Sequence, residues 1–111
     1  MPDAATSVPV VAPTKELDIA SSRELAQRLS ELAGSPGDAV LDLSQVGFMD
    51  SVALAVVMKA HNRFSRQGKS LYLVIEPEGN VDRVIQLAGM KGRLCVVASR
   101  EEALARASTP R

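Results

Sequence analysis

The chain has 111 residues, of which 46% are hydrophobic and 23% are charged, with 13 basic and 13 acidic side chains. This length supports one modest hydrophobic core, and the composition is that of an ordinary globular domain. The balanced charge argues against a broad nucleic-acid-binding surface, which needs clustered Lys and Arg. No apolar run is long enough for a membrane span, and Cys95 is the only cysteine, so we expect a cytoplasmic protein.

Hydrophobic periodicity predicts strands that alternate with helices along the chain. Residues 1–14 contain three prolines and are predicted to be a tail or, around residues 8–11, a short edge strand. The predicted helices cover residues 22–33, 51–67, 80–88 and 99–107, and the predicted strands cover residues 39–43, 70–75 and 94–97. This alternation favours mostly parallel pairing with right-handed crossovers. We therefore expect one α/β domain over residues 15–107, with residues 108–111 as a C-terminal tail.

The start of the second predicted helix is the most informative part of the sequence. An apolar strand leads into a short turn, and Asp50 and Ser51 follow where the helix begins. A hydroxyl at this position lies beside unpaired N–H groups and the positive end of the helix dipole, an environment that suits an anionic group. If Asp50 is the N-cap, the Ser51 hydroxyl is free for modification. The alternative is that Ser51 is itself the cap and has no further role.

A helical projection of the same segment predicts an inward stripe formed by Leu54, Val57, Met58, His61 and Phe64. Val52 and Val56 then fall on the opposite side, in line with Lys59 and Arg63. Two valines one turn from Ser51 suggest an apolar docking surface, although a neighbouring loop could also cover them.

The sequence offers few residues for catalysis. His61 is the only histidine and has no sequence-near ligand partners, so we expect no metal site. Cys95 lies within an apolar strand, and no glycine-rich loop with the P-loop pattern is present. Ser21 and Glu24 have the spacing of a capping box, which predicts a structural role for Ser21. We therefore expect a protein that is not an enzyme and needs no cofactor.

Several segments in order along the chain resemble the STAS domain of bacterial anti-sigma factor antagonists. The matching segments are ELDIAS at residues 16–21, DLS at 42–44, FMDS at 48–51 and VIQLAGM at 84–90. The segments occur in the family's order and at family-like spacing, and the resemblance extends over nearly all of residues 16–104. The resemblance implies a single STAS domain with a four- or five-stranded mixed β-sheet and about four α-helices.

The resemblance also implies a function. Proteins of this family bind an anti-sigma factor that is also a serine kinase, and this binding releases a sigma factor. Phosphorylation of one serine ends the interaction until a serine phosphatase restores it. Carried over to this chain, the phosphoacceptor is Ser51, and Asp18 and Asp50 flank it. The residues expected to contact the partner are Asp18, Ser21, Asp50, Ser51, Val52, Ala53 and Val56.

Two alternatives from other classes remain at this point. The family pattern usually has a hydroxyl residue and then glycine after the phosphoacceptor, where this chain has Val52 and Ala53. That difference favours a STAS subunit that is not phosphorylated and acts as a scaffold in a sensory or lipid-transport complex. A small enzyme is the other alternative, against which the missing nucleophile–base pair counts. The oligomeric state is left open.

Overall fold

The computed structural model describes residues 8–107 of the chain. Its strands are β1 (Val10–Val11), β2 (Ala39–Asp42), β3 (Leu71–Val74) and β4 (Cys95–Val97). Its helices are α1 (Ser22–Ala33), α2 (Ser51–Arg66), α3 (Asn80–Leu87) and α4 (Arg100–Ala107), with a short 3-10 helix at Lys91–Arg93. All four predicted helices form with bounds close to those expected, and β1 lies within the segment predicted to be a tail or a short edge strand. Two parts of the predicted tails lie outside the described residues. They are residues 1–7 of the N-terminal segment and residues 108–111 at the C-terminal end.

The four strands form one sheet in the order β1-β2-β3-β4. Val10 pairs with Val40, and Leu73 pairs with Leu41 on one side and with Val96 on the other. Every strand pair in the described part of the chain is parallel. The α/β class is therefore confirmed, but the expected mixed pairing is corrected to parallel pairing. The reason is that helices α1, α2 and α3 cross over between successive strands and return the chain to the same edge.

The sheet has a hydrophobic core on each face. The larger core lies between the sheet and helices α1, α2 and α3, and includes Leu29, Leu41, Phe64, Leu73 and Ile85. The smaller core lies under α4 and consists of Val40, Val74, Val97 and Ala103. Neighbouring residues of β2 and β3 thus point to opposite faces, as the period of a strand requires. Since the strands are parallel, α2 and α3 both begin at the carboxyl edge of the sheet.

The buried face of α2 differs in part from the predicted stripe. Its buried residues are Ala53, Leu54, Val57, Ala60 and Phe64. Met58 and His61, which were expected to point inward, are only half-buried. The cause is that α1 packs along one side of α2, so the buried arc of α2 is turned toward α1 as well as toward the sheet.

Candidate functional site

The loop between β2 and α2 is anchored at its start by a buried carboxylate. Asp42 accepts hydrogen bonds from the N–H and the hydroxyl of Ser44, at 2.9 and 2.6 Å, and from Nε of Arg100 at 2.9 Å. Burial by itself raises the pKa of Asp42, but the hydrogen bonds from Ser44 and the Arg100 ion pair outweigh it and leave the pKa below its usual value. The ionised Asp42 therefore ties α4 to the start of this loop.

The end of the same loop is fixed by Asp50, which is the N-cap of α2. Its backbone is extended, and its Oδ1 accepts the N–H of Ala53 at 2.9 Å. Its second carboxylate oxygen, Oδ2, accepts the N–H of Ile19 at 3.0 Å. Of the two caps that the sequence left open, Asp50 and Ser51, the structure shows Asp50 in this role. Its carboxylate also joins α2 to the segment that precedes α1.

Ser51 is exposed at the first position of α2. Among the residues that the structure describes, its hydroxyl has no hydrogen-bond partner, because Asp50 provides the cap instead. The N–H groups of Ser51 and Val52 also lack an acceptor within residues 8–107, as is usual for the first turn of a helix. The hydroxyl is thus free and lies where the helix dipole favours added negative charge.

Residues 17–21 run beside the Asp50–Ser51 turn. Leu17 donates its N–H to the carbonyl of Phe48 and accepts the N–H of Asp50, both at 2.9 Å. Leu17 also forms a parallel β-bridge with Met49. The structure therefore brings Asp18 and Asp50 onto adjacent segments, although 32 positions in the sequence separate them.

Ser21 has a different role from the one predicted for it. Its hydroxyl donates to the carbonyl of Glu16 at 3.0 Å and accepts the N–H of Asp18 at 3.0 Å, and it makes no cap bond to α1. Oδ1 of Asp18 accepts the N–H of Ser21 at 3.1 Å, the donor that Glu24 would take in a capping box. The predicted capping box is therefore wrong. Asp18 and Ser21 instead hold residues 16–21 in a compact turn.

The three apolar residues predicted to contact a partner fall into different environments. The side chain of Val52 is 39% exposed, whereas Ala53 is fully buried. Val56 is half-buried and packs against the larger core. The expected partner contact through the Ala53 side chain is therefore wrong. Val56 was expected to face solvent, but it lies at the boundary between α1 and α2. Of the three, Val52 alone is a freely accessible apolar side chain.

Sequence reasoning missed two large apolar side chains near Ser51. Ile19 is 71% exposed and Phe48 is 45% exposed. Their backbones are tied to the Asp50 carboxylate and to Leu17, respectively, so both residues border the start of α2. The available signal was the occurrence of two large apolar residues outside the predicted helices and their inward stripes.

The start of α3 closes the opposite side of the loop. Nδ2 of Asn80 donates to the carbonyl of Gly47 at 3.0 Å. Asp82 is buried, accepts the N–H of Glu78 at 2.9 Å and forms an ion pair with Lys91 at 3.0 Å. The hydrogen bond from Glu78 is the largest cause that holds the pKa of Asp82 below its usual value, and the hydrogen bond from Lys91 also lowers this pKa. The bond between Glu78 and Asp82 also holds Glu78 in a left-handed conformation with φ of 64°.

The described residues contain no group of three His, Cys, Asp or Glu side chains placed to bind a metal ion. Over the same range, every helix is too short or too polar to cross a membrane. The region around the start of α2 is thus distinguished by a free serine, two acidic residues beside it and three exposed apolar side chains.

Comparison with known proteins identifies the family of this α/β domain. A family model described as "Mlab, STAS domain" matches residues 1–98. The chain therefore belongs to the STAS domain family, as the resemblance of its motifs implied.

A solved structure has the same fold. The crystal structure of a Thermotoga maritima protein described as a "putative anti-sigma factor antagonist" superimposes with a TM-score of 0.78. The alignment covers 90% of this chain and 88% of that chain at 24% sequence identity. At this identity the similarity establishes the STAS fold. No curated protein sequence matches the chain significantly.

Proposed function

We propose that this protein is an anti-sigma factor antagonist whose binding is controlled by phosphorylation of Ser51. The observation that carries the proposal is the division of roles between two neighbouring residues. The Asp50 carboxylate caps α2, so the exposed Ser51 hydroxyl is not needed for the fold and is available to a kinase. The partner in this proposal is an anti-sigma factor with serine kinase activity, and a serine phosphatase reverses the modification in the cytoplasm.

The proposed contact area is the switch surface, defined here as Ile19, Phe48, Ser51 and Val52. Three of its four residues are exposed apolar side chains, and association would remove their surface from water, which favours binding. Asp50 lies at its centre but has both carboxylate oxygens occupied by backbone N–H groups. The surface therefore combines an apolar contact area with one reactive hydroxyl.

Phosphorylation transfers the γ-phosphoryl group of ATP to Oγ of Ser51. The new P–O bond forms as the bond to ADP breaks, and the hydroxyl proton passes to a base of the kinase. The product carries a charge of about −1.5 to −2 beside the Asp50 carboxylate. In the free protein, water and the α2 dipole stabilise this charge. In the complex, the apolar contact would strip the water from it, and this desolvation cost drives release.

Mass spectrometry after incubation with the anti-sigma kinase and ATP tests the modification directly. We expect one phosphate, on Ser51, and none on the Ser51→Ala variant. Ser21 and Ser44 serve as internal controls because their hydroxyls are bonded to Glu16 and Asp42, respectively. A phosphate on Ser21, Ser44 or Ser65 would refute the assignment. The absence of any phosphate would also refute it, if the same kinase preparation phosphorylates another substrate.

A second candidate function is a STAS scaffold subunit of a sensory or lipid-transport complex that is never phosphorylated. It is favoured by the residues after Ser51, an apolar Val52 and a fully buried Ala53, where the family pattern has a hydroxyl residue and glycine. Binding measurements on two variants separate the candidates. The switch requires that Ser51→Asp and Val52→Lys both weaken partner binding, with Ser65→Lys, an exposed position near the opposite end of α2, as the control. The scaffold requires that only Val52→Lys does so.

A further inference from the structure

A groove with a volume of about 360 Å³ lies between α1 and α2, away from Ser51. Its apolar lining comes from both helices and consists of Ala26, Leu29, Val56 and Ala60. Three cationic side chains from α2, Lys59, Arg63 and Arg66, also line it. The groove thus combines an apolar floor with a positively charged wall.

The positive charge of this groove is not neutralised by the rest of the described chain. None of its lining residues is acidic, and within residues 8–107 none of the three cations forms a salt bridge. Arg63 makes one bond to a neutral group, from Nη1 to the hydroxyl of Ser30 at 3.0 Å. The protein as a whole has a formal charge of zero, so the groove is a local excess of positive charge.

The spacing of the cations indicates the shape of the ligand. Lys59, Arg63 and Arg66 are four and three positions apart, so they follow one another along a single face of α2. Over seven residues at 1.5 Å per residue, the row is about 10 Å long. A fatty acid or a phosphate headgroup has one charged end and would engage only part of such a row. Carboxylates at positions i, i+4 and i+7 of a second helix match its full length.

We propose that this groove is a docking site for an acidic amphipathic helix of a protein partner. Leucine-like side chains of that helix would pack on Ala26 and Val56, the apolar lining residues that are not buried, while its carboxylates would pair with the three cations. The inference goes beyond the proposed function, since it concerns a second surface and holds whether or not Ser51 is phosphorylated. Charge complementarity would mainly determine partner choice and the rate of association.

A designed peptide provides the test, because it requires no knowledge of the natural partner. The probe is a helical peptide of about 18 residues with Leu and Glu on one face, and its controls are a scrambled peptide and one with Lys in place of Glu. Titration of the isotope-labelled protein, followed by NMR, should shift the amides of residues 26–30 and 56–66 with the acidic peptide alone. Raising the salt concentration should weaken this binding.

Charge reversals locate the binding on the protein. The Lys59→Glu/Arg66→Glu variant should bind the acidic peptide about tenfold more weakly, while Arg83→Glu/Arg93→Glu, with the same change in net charge on other exposed positions, should bind like the parent. No shifts in the groove, equal binding of the scrambled peptide, or equal losses in both variants would overturn the proposal. Sodium oleate, a fatty acid with a single carboxylate, is the comparison ligand for the peptide. Tighter binding of oleate than of the peptide in this groove would show that the occupant is an acyl chain.

Discussion

Replacement of Asp50 by alanine tests whether this residue, and not Ser51, caps α2. Asp50→Ala removes the acceptor for the Ala53 N–H at 2.9 Å and the acceptor for the Ile19 N–H at 3.0 Å. Loss of an N-cap costs about 1 kcal/mol. The second bond lies at an exposed position, where water can replace it, so its loss costs only about 0.5 kcal/mol. We therefore expect the free energy of unfolding to fall by about 1.5 kcal/mol in total, equivalent to a decrease of about 6 °C in Tm.

Urea unfolding followed by circular dichroism measures this loss, with Ser51→Ala as the matched control. Ser51→Ala should change the unfolding free energy by less than about 0.5 kcal/mol. The exchange of the Ile19 amide should become faster in Asp50→Ala and stay unchanged in Ser51→Ala. A larger destabilisation by Ser51→Ala than by Asp50→Ala would contradict the capping role of Asp50, because the serine would then be the cap.

Two further predictions concern buried groups. Because the folded pKa values of Asp42 and Asp82 lie below the unfolded value of about 3.9, their stabilisation is present above about pH 4 and is lost as the pH falls through the folded pKa values. Asp82→Asn should thus reduce the loss of stability between about pH 6 and pH 3, and an unchanged loss would contradict the pKa shift. Ala53→Leu should lower the unfolding free energy by about 1–3 kcal/mol through overpacking, while Ala55→Leu on the exposed face should change it by less than about 0.5 kcal/mol. Equal effects in thermal unfolding would contradict the burial of Ala53.

The elements of this fold could be predicted because their signals are local. Apolar spacing marked the helices, and glycines marked where they end. Gly68, for example, follows α2 with φ of 73°, a left-handed conformation that glycine adopts without strain. The same local logic placed the N-cap of α2 at Asp50 or Ser51, since both residue types are good caps, but it did not decide between them. The structure shows that Asp50 is the cap.

The parts of the site that were predicted wrongly depend on contacts between distant segments. A helical projection gives the relative angles of Val52 and Val56 but not the rotation of α2 against α1, and that rotation half-buries Val56. Ser21 has the sequence spacing of a cap, yet its hydroxyl bonds to Glu16 in the preceding turn. The exposure of Phe48 likewise results from the pairing of Leu17 with the loop before α2, which no local pattern indicates.

Calorimetric titration of the purified anti-sigma factor with the two forms of this protein tests the central claim most directly. The unmodified protein should bind, and the protein phosphorylated on Ser51 should bind at least about tenfold more weakly, because docking would desolvate a group with a charge of about −2. Both forms should have the same circular dichroism spectrum, since the phosphate lies outside the core. Equal affinity of the two forms would contradict the account.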